Sequence, residues 1–234
     1  MAFKYKQTLV APSNTSIAAL QTLSGAGSLT LNGTYAQTLI PNDGGTASFF
    51  APNIQLWDNQ VSGAFNVPVT LTSTNNLSGV TFTITGTQRQ PYSETISVTE
   101  TIAGPSGNTV TSVNFYNRIL SIKANGAAAG VSAGHSITGA YTGWLPVGGP
   151  GLESTIAVAA YVTGTINYTM QHTFDNTFNS TETINIFNSD DTSVVNATTS
   201  KDSNYFAPPA AVRILINSGT GSLIYYVNQT GLTS

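Results

Sequence analysis

Cysteine is absent from the 234 residues, and only 7% of them are Asp, Glu, Lys or Arg. The first absence excludes disulfide staples, thiol catalysis and cysteine-based zinc sites together. The second is the larger departure, because a soluble domain ordinarily carries about 25% charged residues. Long apolar runs are also missing. The stretch Thr155 to Val162 falls far short of the roughly 18–20 residues that a membrane helix needs. Ile17-Ala18-Ala19-Leu20 is too short and too polar in its flanks to serve as a signal-peptide core, so Sec-type export is not expected.

A basic patch is lacking as well. Seven Lys and Arg residues are scattered from Lys4 to Arg213, with nothing to neutralise a run of phosphates. Neither nucleic acid nor membrane is therefore expected as a partner. The shortage of charge does not imply disorder, which pairs low hydrophobicity with high net charge. This chain is 40% hydrophobic with a net charge of −3.

What fills the chain is period-two alternation in short runs rich in Val, Ile, Thr, Phe and Tyr. In Gly79 to Thr87, Val80, Phe82 and Ile84 point one way and Thr81, Thr83 and Thr85 the other. Val67 to Leu71, Thr95 to Ile102, Ile119 to Lys123, Ile156 to Tyr161, Thr163 to Gln171, Val212 to Ile216 and Ser222 to Val227 behave similarly. Turn residues separate them at Asn42-Asp43-Gly44-Gly45, Gly104 to Asn108, Asn125-Gly126, Asn188 to Asp191 and Ser218 to Gly221. Many short, regularly spaced strands predict an all-β sandwich or barrel. The one candidate helix is Ser16 to Leu23, with Ser16 as its cap.

Pro146-Val147-Gly148-Gly149-Pro150-Gly151 reads as a linker or an inter-sheet crossing. The expected architecture is two β-sandwich domains, immunoglobulin-like or jelly-roll in type, over residues 1–148 and 149–234. The first of these units begins with an extended N-terminal arm, Met1 to Ser16. Thr83 to Thr87 and Val162 to Ile166 share a loose phrase, which chance in a Thr- and Gly-rich chain explains as well as a repeat does.

The few ionisable residues offer no convergent chemistry. His135 is read in a Gly-rich loop, and His172 closes the strand Tyr168 to Gln171. Neither has an acid at a metal-ligand spacing, and Asp175 follows His172 by three residues at a strand end. No nucleophile elbow is present. Glu94 and Glu100 would share a face of one strand about 20 Å apart, beyond the roughly 5–9.5 Å of glycosidase pairs, and read as solvated. Asn188, Asp190, Asp191 and Asp202 form a local acidic group, but without the glycine and distal glutamate of an EF-hand loop a polar turn is favoured. No catalytic residue, metal or cofactor is expected, and the chain is read as not an enzyme. Trp57, Tyr141, Trp144, Tyr161 and Tyr168 are the aromatics available for a sugar-stacking face, although strands commonly bury such rings.

Two stretches carry a resemblance. The first is Leu77 to Thr87 with Ser93-Glu94-Thr95-Ile96, Ile119 to Ile122, Val131 to Gly134 and Gly143-Trp144-Leu145-Pro146. The second is Val162 to Asp175 with Ala211 to Leu223. Together, from about residue 66 onward, they are similar to virion structural proteins of tailed bacteriophages. The resemblance implies assembly into a particle and no catalysis. It carries strand and turn phrases only, with no catalytic motif.

The composition agrees with that implication. Few charges mean little long-range repulsion between copies. Thr, Ser and Asn surfaces form interfaces without the desolvation cost of ions, and strand edges lacking lysine invite pairing with a neighbour. The expected function is capsid decoration or cementing as a homo-oligomer, in a virion assembled in the host cytoplasm. The expected partners are the major capsid protein or tail proteins. The alternatives are a tail, neck or baseplate component, and a module binding surface glycan for host adhesion. Lys4 and Lys6 on the arm, together with Trp57 and Trp144, are the candidate partner contacts.

Overall fold

The computed structural model describes residues 3–33, 65–88, 96–147, 155–177 and 183–229. In chain order its strands are β1 (Phe3–Leu9), β2 (Ser13–Leu23), β3 (Gly27–Ser28), β4 (Phe65–Ser73), β5 (Thr81–Gln88) and β6 (Ile96–Ala103). Next come β7 (Thr109–Tyr116), β8 (Arg118–Ala124), β9 (Ala128–His135), β10 (Tyr141–Thr142) and β11 (Leu145–Pro146). The last are β12 (Ile156–Thr163), β13 (Ile166–Thr173), β14 (Phe187–Asn188), β15 (Lys201–Tyr205), β16 (Ala211–Gly219) and β17 (Ser222–Gln229). One 3-10 turn, Thr192–Val194, is capped by the Asp191 side chain. The fold is all-β and sandwich-like, as the alternating pattern predicts.

A long central sheet runs β14-β13-β16-β10-β4-β9-β2, with β11 beside β16 and β7 beside β4. Two four-stranded sheets cover it. Sheet β1-β17-β12-β15 encloses a first core with Tyr168, Met170, Ile214, Ile216, Tyr225 and Val227. Sheet β3-β8-β5-β6 encloses a second core with Phe82, Ile84, Ile122, Val131 and Ala133.

Strand β4 joins the two cores. Phe65, Val67, Val69 and Leu71 are alternate residues and so share a face. The first two lie in the first core and the last two in the second. A proline inside a central strand needs a break in the ladder. Pro68 lies opposite Phe115 where the β4–β7 register shifts, and the neighbouring Val69 amide donates to Ser112 Oγ at 2.8 Å.

Several sequence expectations give way here. Ser16 to Leu23 is strand, because β2 pairs with β9 through a series of register shifts. Tertiary pairing overrides a marginal helical pattern. His135 lies in strand β9 and not in a loop. Gly134 beside it is required by a close crossing, since a Cβ there would meet Ser13 O at 1.8 Å. Residues Phe3–Leu9 of the expected arm are paired along their length with β17, and Leu9 is buried in the first core.

The cut near Gly148 meets two cores but not two consecutive halves. Leu9, Phe65, Val67, Ile137, Ala140 and Leu145 precede it, yet they pack with strands that follow it. The shared phrase is no structural repeat either. Thr83 to Thr87 lie in β5, whereas Gly164, at φ 81°, turns the β12–β13 hairpin.

Candidate functional site

Among the described residues, several ionisable side chains are engaged within the chain. Glu100 on β6 reaches the bulged part of β7, where its two oxygens accept from the Val113 and Asn114 amides at 2.7 and 2.8 Å. It is half-buried and bonded, not the solvated residue the sequence suggests. Glu94 lies outside the described residues. Asp175 accepts from the backbone and side-chain nitrogens of Asn185. Asp191 accepts from Ser193 N at 2.9 Å, and its hydrogen bonds with Ser193 hold its pKa below the ordinary value. Asp202 is exposed on β15. Among the described residues no group of three or more His, Cys, Asp or Glu side chains is placed to hold a metal ion.

His135 is buried, with Nδ1 2.7 Å from Ser16 Oγ and Nε2 3.3 Å from the Val10 carbonyl. The Ser16 hydroxyl also donates to Ser13 O. A serine beside a histidine has the outline of a nucleophile and its base. Here both are buried, and the pair ties the start of β2 to β9. Desolvation lowers the His135 pKa.

His172 is buried at the end of the first core. Its ring stacks on Phe187 at 5.7 Å and meets Phe174 and Tyr205 edge-on at 5.3 and 5.4 Å. Desolvation lowers its pKa also, against a smaller raising effect of Asp190. Around it Phe174, Ile186 and Phe187 are exposed, as is Phe206, the residue after Tyr205. This apolar surface is the feature that sequence reading missed. Phe174 and Phe187 carry no shared local pattern in the sequence, and the β13–β14 pairing brings them together.

The candidate contact residues do not gather. Trp57 lies outside the described residues. Trp144 is 7% exposed, with the Arg213 guanidinium 4.5 Å from its ring centroid. Tyr141 flanks the same cation at 5.3 Å, and Arg213 Nε donates to Gln171 Oε1 at 2.9 Å. A ring occupied in this way is not an open stacking platform. Tyr168 is in the core, and Tyr161 lies on the opposite four-stranded sheet against Tyr226. Of the four described, Tyr141 and Trp144 meet at Arg213, but no single face holds all four.

Lys4 and Lys6 lie on β1, an edge strand, and Lys201 lies on β15 at the other edge of that sheet. Lysine on a strand edge discourages pairing with another chain, so the expectation of unguarded edges fails for this sheet. β2 is protected differently, by its register shifts and by residues that bond along it. Ala19 N donates to Asn32 Oδ1, and Gly33 N donates to Ile17 O.

The sheet of the second sandwich carries a hydroxyl face. Thr83 and Thr101 hydroxyls lie 3.0 Å apart across β5 and β6, and those of Thr85 and Thr99 lie 3.4 Å apart. Among the described residues no helix is long and apolar enough to cross a membrane. No protein-family model, curated protein or solved structure matches the chain.

Proposed function

We propose that this chain is a non-enzymatic structural protein of a bacteriophage virion that decorates or cements the capsid. One observation carries the reading. Glu100, Asp175, Asp191, Arg213 and His135 are spent on bonds within the fold, while large apolar side chains around Phe174 and Phe187 remain outside. A catalytic site would need ionisable groups converging on an open cleft. An exposed apolar patch suits a protein partner instead. The hydroxyl face supports close packing of copies, since it forms wet contacts without removing ions from water.

A protein census of purified virions tests this by mass and copy number. Decoration requires on the order of hundreds of copies, and a ring of about six or twelve assigns the chain to the tail, neck or baseplate instead. Absence from the particle overturns the proposal. Host adhesion through glycan is a second reading, favoured by the exposed phenyl rings of Phe174 and Phe187. Glycan-array binding that disappears in Phe187→Ala supports it. No binding by the intact chain removes it.

A further inference from the structure

Among the described residues, strand β6 is a long sheet edge whose backbone is left open. It ends its sheet, and no Lys or Arg lies within Ile96–Ala103. Its single charge, Glu100, is drawn inward to the β7 amides. The pairing with β5 fixes which backbone groups face outward. Gly104 N donates to Val80 O, and the register continues through Phe82↔Ile102, Ile84↔Glu100 and Gly86↔Val98. In an antiparallel ladder only alternate residues bond to a given neighbour. Val98, Glu100 and Ile102 therefore turn their N–H and C=O groups toward β5. Ser97, Thr99, Thr101 and Ala103 turn theirs off the edge.

The geometry points to β6 as a self-pairing edge, where a second copy of this chain adds its own β6 antiparallel across a twofold axis. The pairing sets Thr99 opposite Thr101 of the second copy and Ser97 opposite Ala103, so every outward backbone group finds a partner. The side-chain chemistry is self-complementary. The hydroxyl contacts Thr85–Thr99 and Thr83–Thr101 already cross from β5 to β6, and this register continues the same row into the second copy. Val113, 81% exposed, sits beside the edge because its amide is held by Glu100. Pairing would cover it. Each Glu100 meets its counterpart across the axis with its carboxylate already bound to its own β7. The β1 and β15 edges carry lysine, β8 carries Arg118 and Lys123, and β2 is bulged and covered. β7 has its Val113 and Asn114 amides taken by Glu100, which leaves β6 as the open choice among the described residues. The inference names the surface for the copy-to-copy contact of the assembly reading and rests on that reading for its purpose.

Sedimentation analysis of the full chain from about 1 to about 100 μM tests it in solution. The wild type is expected to form a dimer. Thr101→Pro removes an N–H that points off the edge, not one that bonds β5. Two such bonds are lost per dimer, so dissociation should become roughly thirtyfold easier. Thr99→Lys, a charge on an exposed side chain, should abolish pairing even if the proline variant misfolds. Amide exchange gives a second readout, with Thr99 and Thr101 slowing as concentration rises. A wild type that stays monomeric, or a folded Thr99→Lys that still dimerises, overturns the inference and leaves the virion census unaffected. A chain that dimerises but is missing from virions fails the functional reading alone.

Discussion

The two sandwiches share β4 and a central sheet, yet they meet water in opposite ways. The first carries Lys4, Lys6 and Lys201 on the two edges of its outer sheet and leaves apolar rings exposed at its end. The second carries hydroxyls across β5 and β6 of its outer sheet, keeps Arg118 and Lys123 on the inner strand β8, and ends in β6, whose only charge is turned inward. A total of seven Lys and Arg residues therefore says little by itself. Where the charges sit determines which edges repel another strand and which admit one.

The strongest way to break this comparison is to ask whether the two cores are independent. Phe65 and Phe82 are fully buried, one in each core. Phe65→Ala and Phe82→Ala should each cost about 3–5 kcal/mol. Because β4 feeds both cores from one face, calorimetry of each variant should show a single, lowered transition. Two separate transitions, with each substitution moving only its own, would show that β4 does not couple them.

The charged groups sharpen the contrast at a smaller scale. Glu100→Ala leaves two β7 amides without their acceptor and should cost about 1–3 kcal/mol. Exchange at Val113 and Asn114 should quicken with it. Lys201→Ala, at an exposed edge of the first sandwich, should stay within about 0.5 kcal/mol while raising self-association. Equal losses of stability would mean that both charges serve the fold and that neither guards an edge.

The histidines test the two interiors against acid. Burial lowers the pKa of His135 in the second sandwich and of His172 in the first. The unfolded chain, with histidine near its ordinary value of about 6.5, therefore takes up protons first as pH falls. Their contribution to stability is present above that value and is lost as pH drops through the folded pKa values. Thermal midpoints should fall between about pH 7 and pH 5. His172→Phe should flatten part of that fall, and an unchanged profile would show that the buried ring titrates as freely as an exposed one.

The strands with a clean alternation were legible from sequence: β4, β5, β6, β8, β12, β13, β16 and β17 all fall on predicted runs. β2 and β9 were not, because small residues and repeated register shifts erase the period-two signal at their crossing. Local composition suggests a boundary near Gly148, but it cannot reveal that Leu9 and Phe65 pack with strands more than a hundred residues later. The same limit hid the surface around Phe174 and Phe187. Trp144 was visible as an aromatic, and its cover by Arg213 exists only through the β11–β16 pairing.

The smallest expected effect concerns the hydroxyl row itself. Thr83 and Thr101 bond across β5 and β6, but both also reach water, so the bond competes with hydration. Thr83→Val keeps the β-branched shape that suits a strand and removes one cross-strand hydroxyl pair, a change of about 0.2–1 kcal/mol. The thermal midpoint should scarcely move, while solubility should fall as an apolar patch replaces a wet one. A loss well above that range would mean the row holds the sheet together. A small loss with lowered solubility would mean its hydroxyls serve what lies outside the sheet, in contrast to the first sandwich, where lysines at the edges do the repelling.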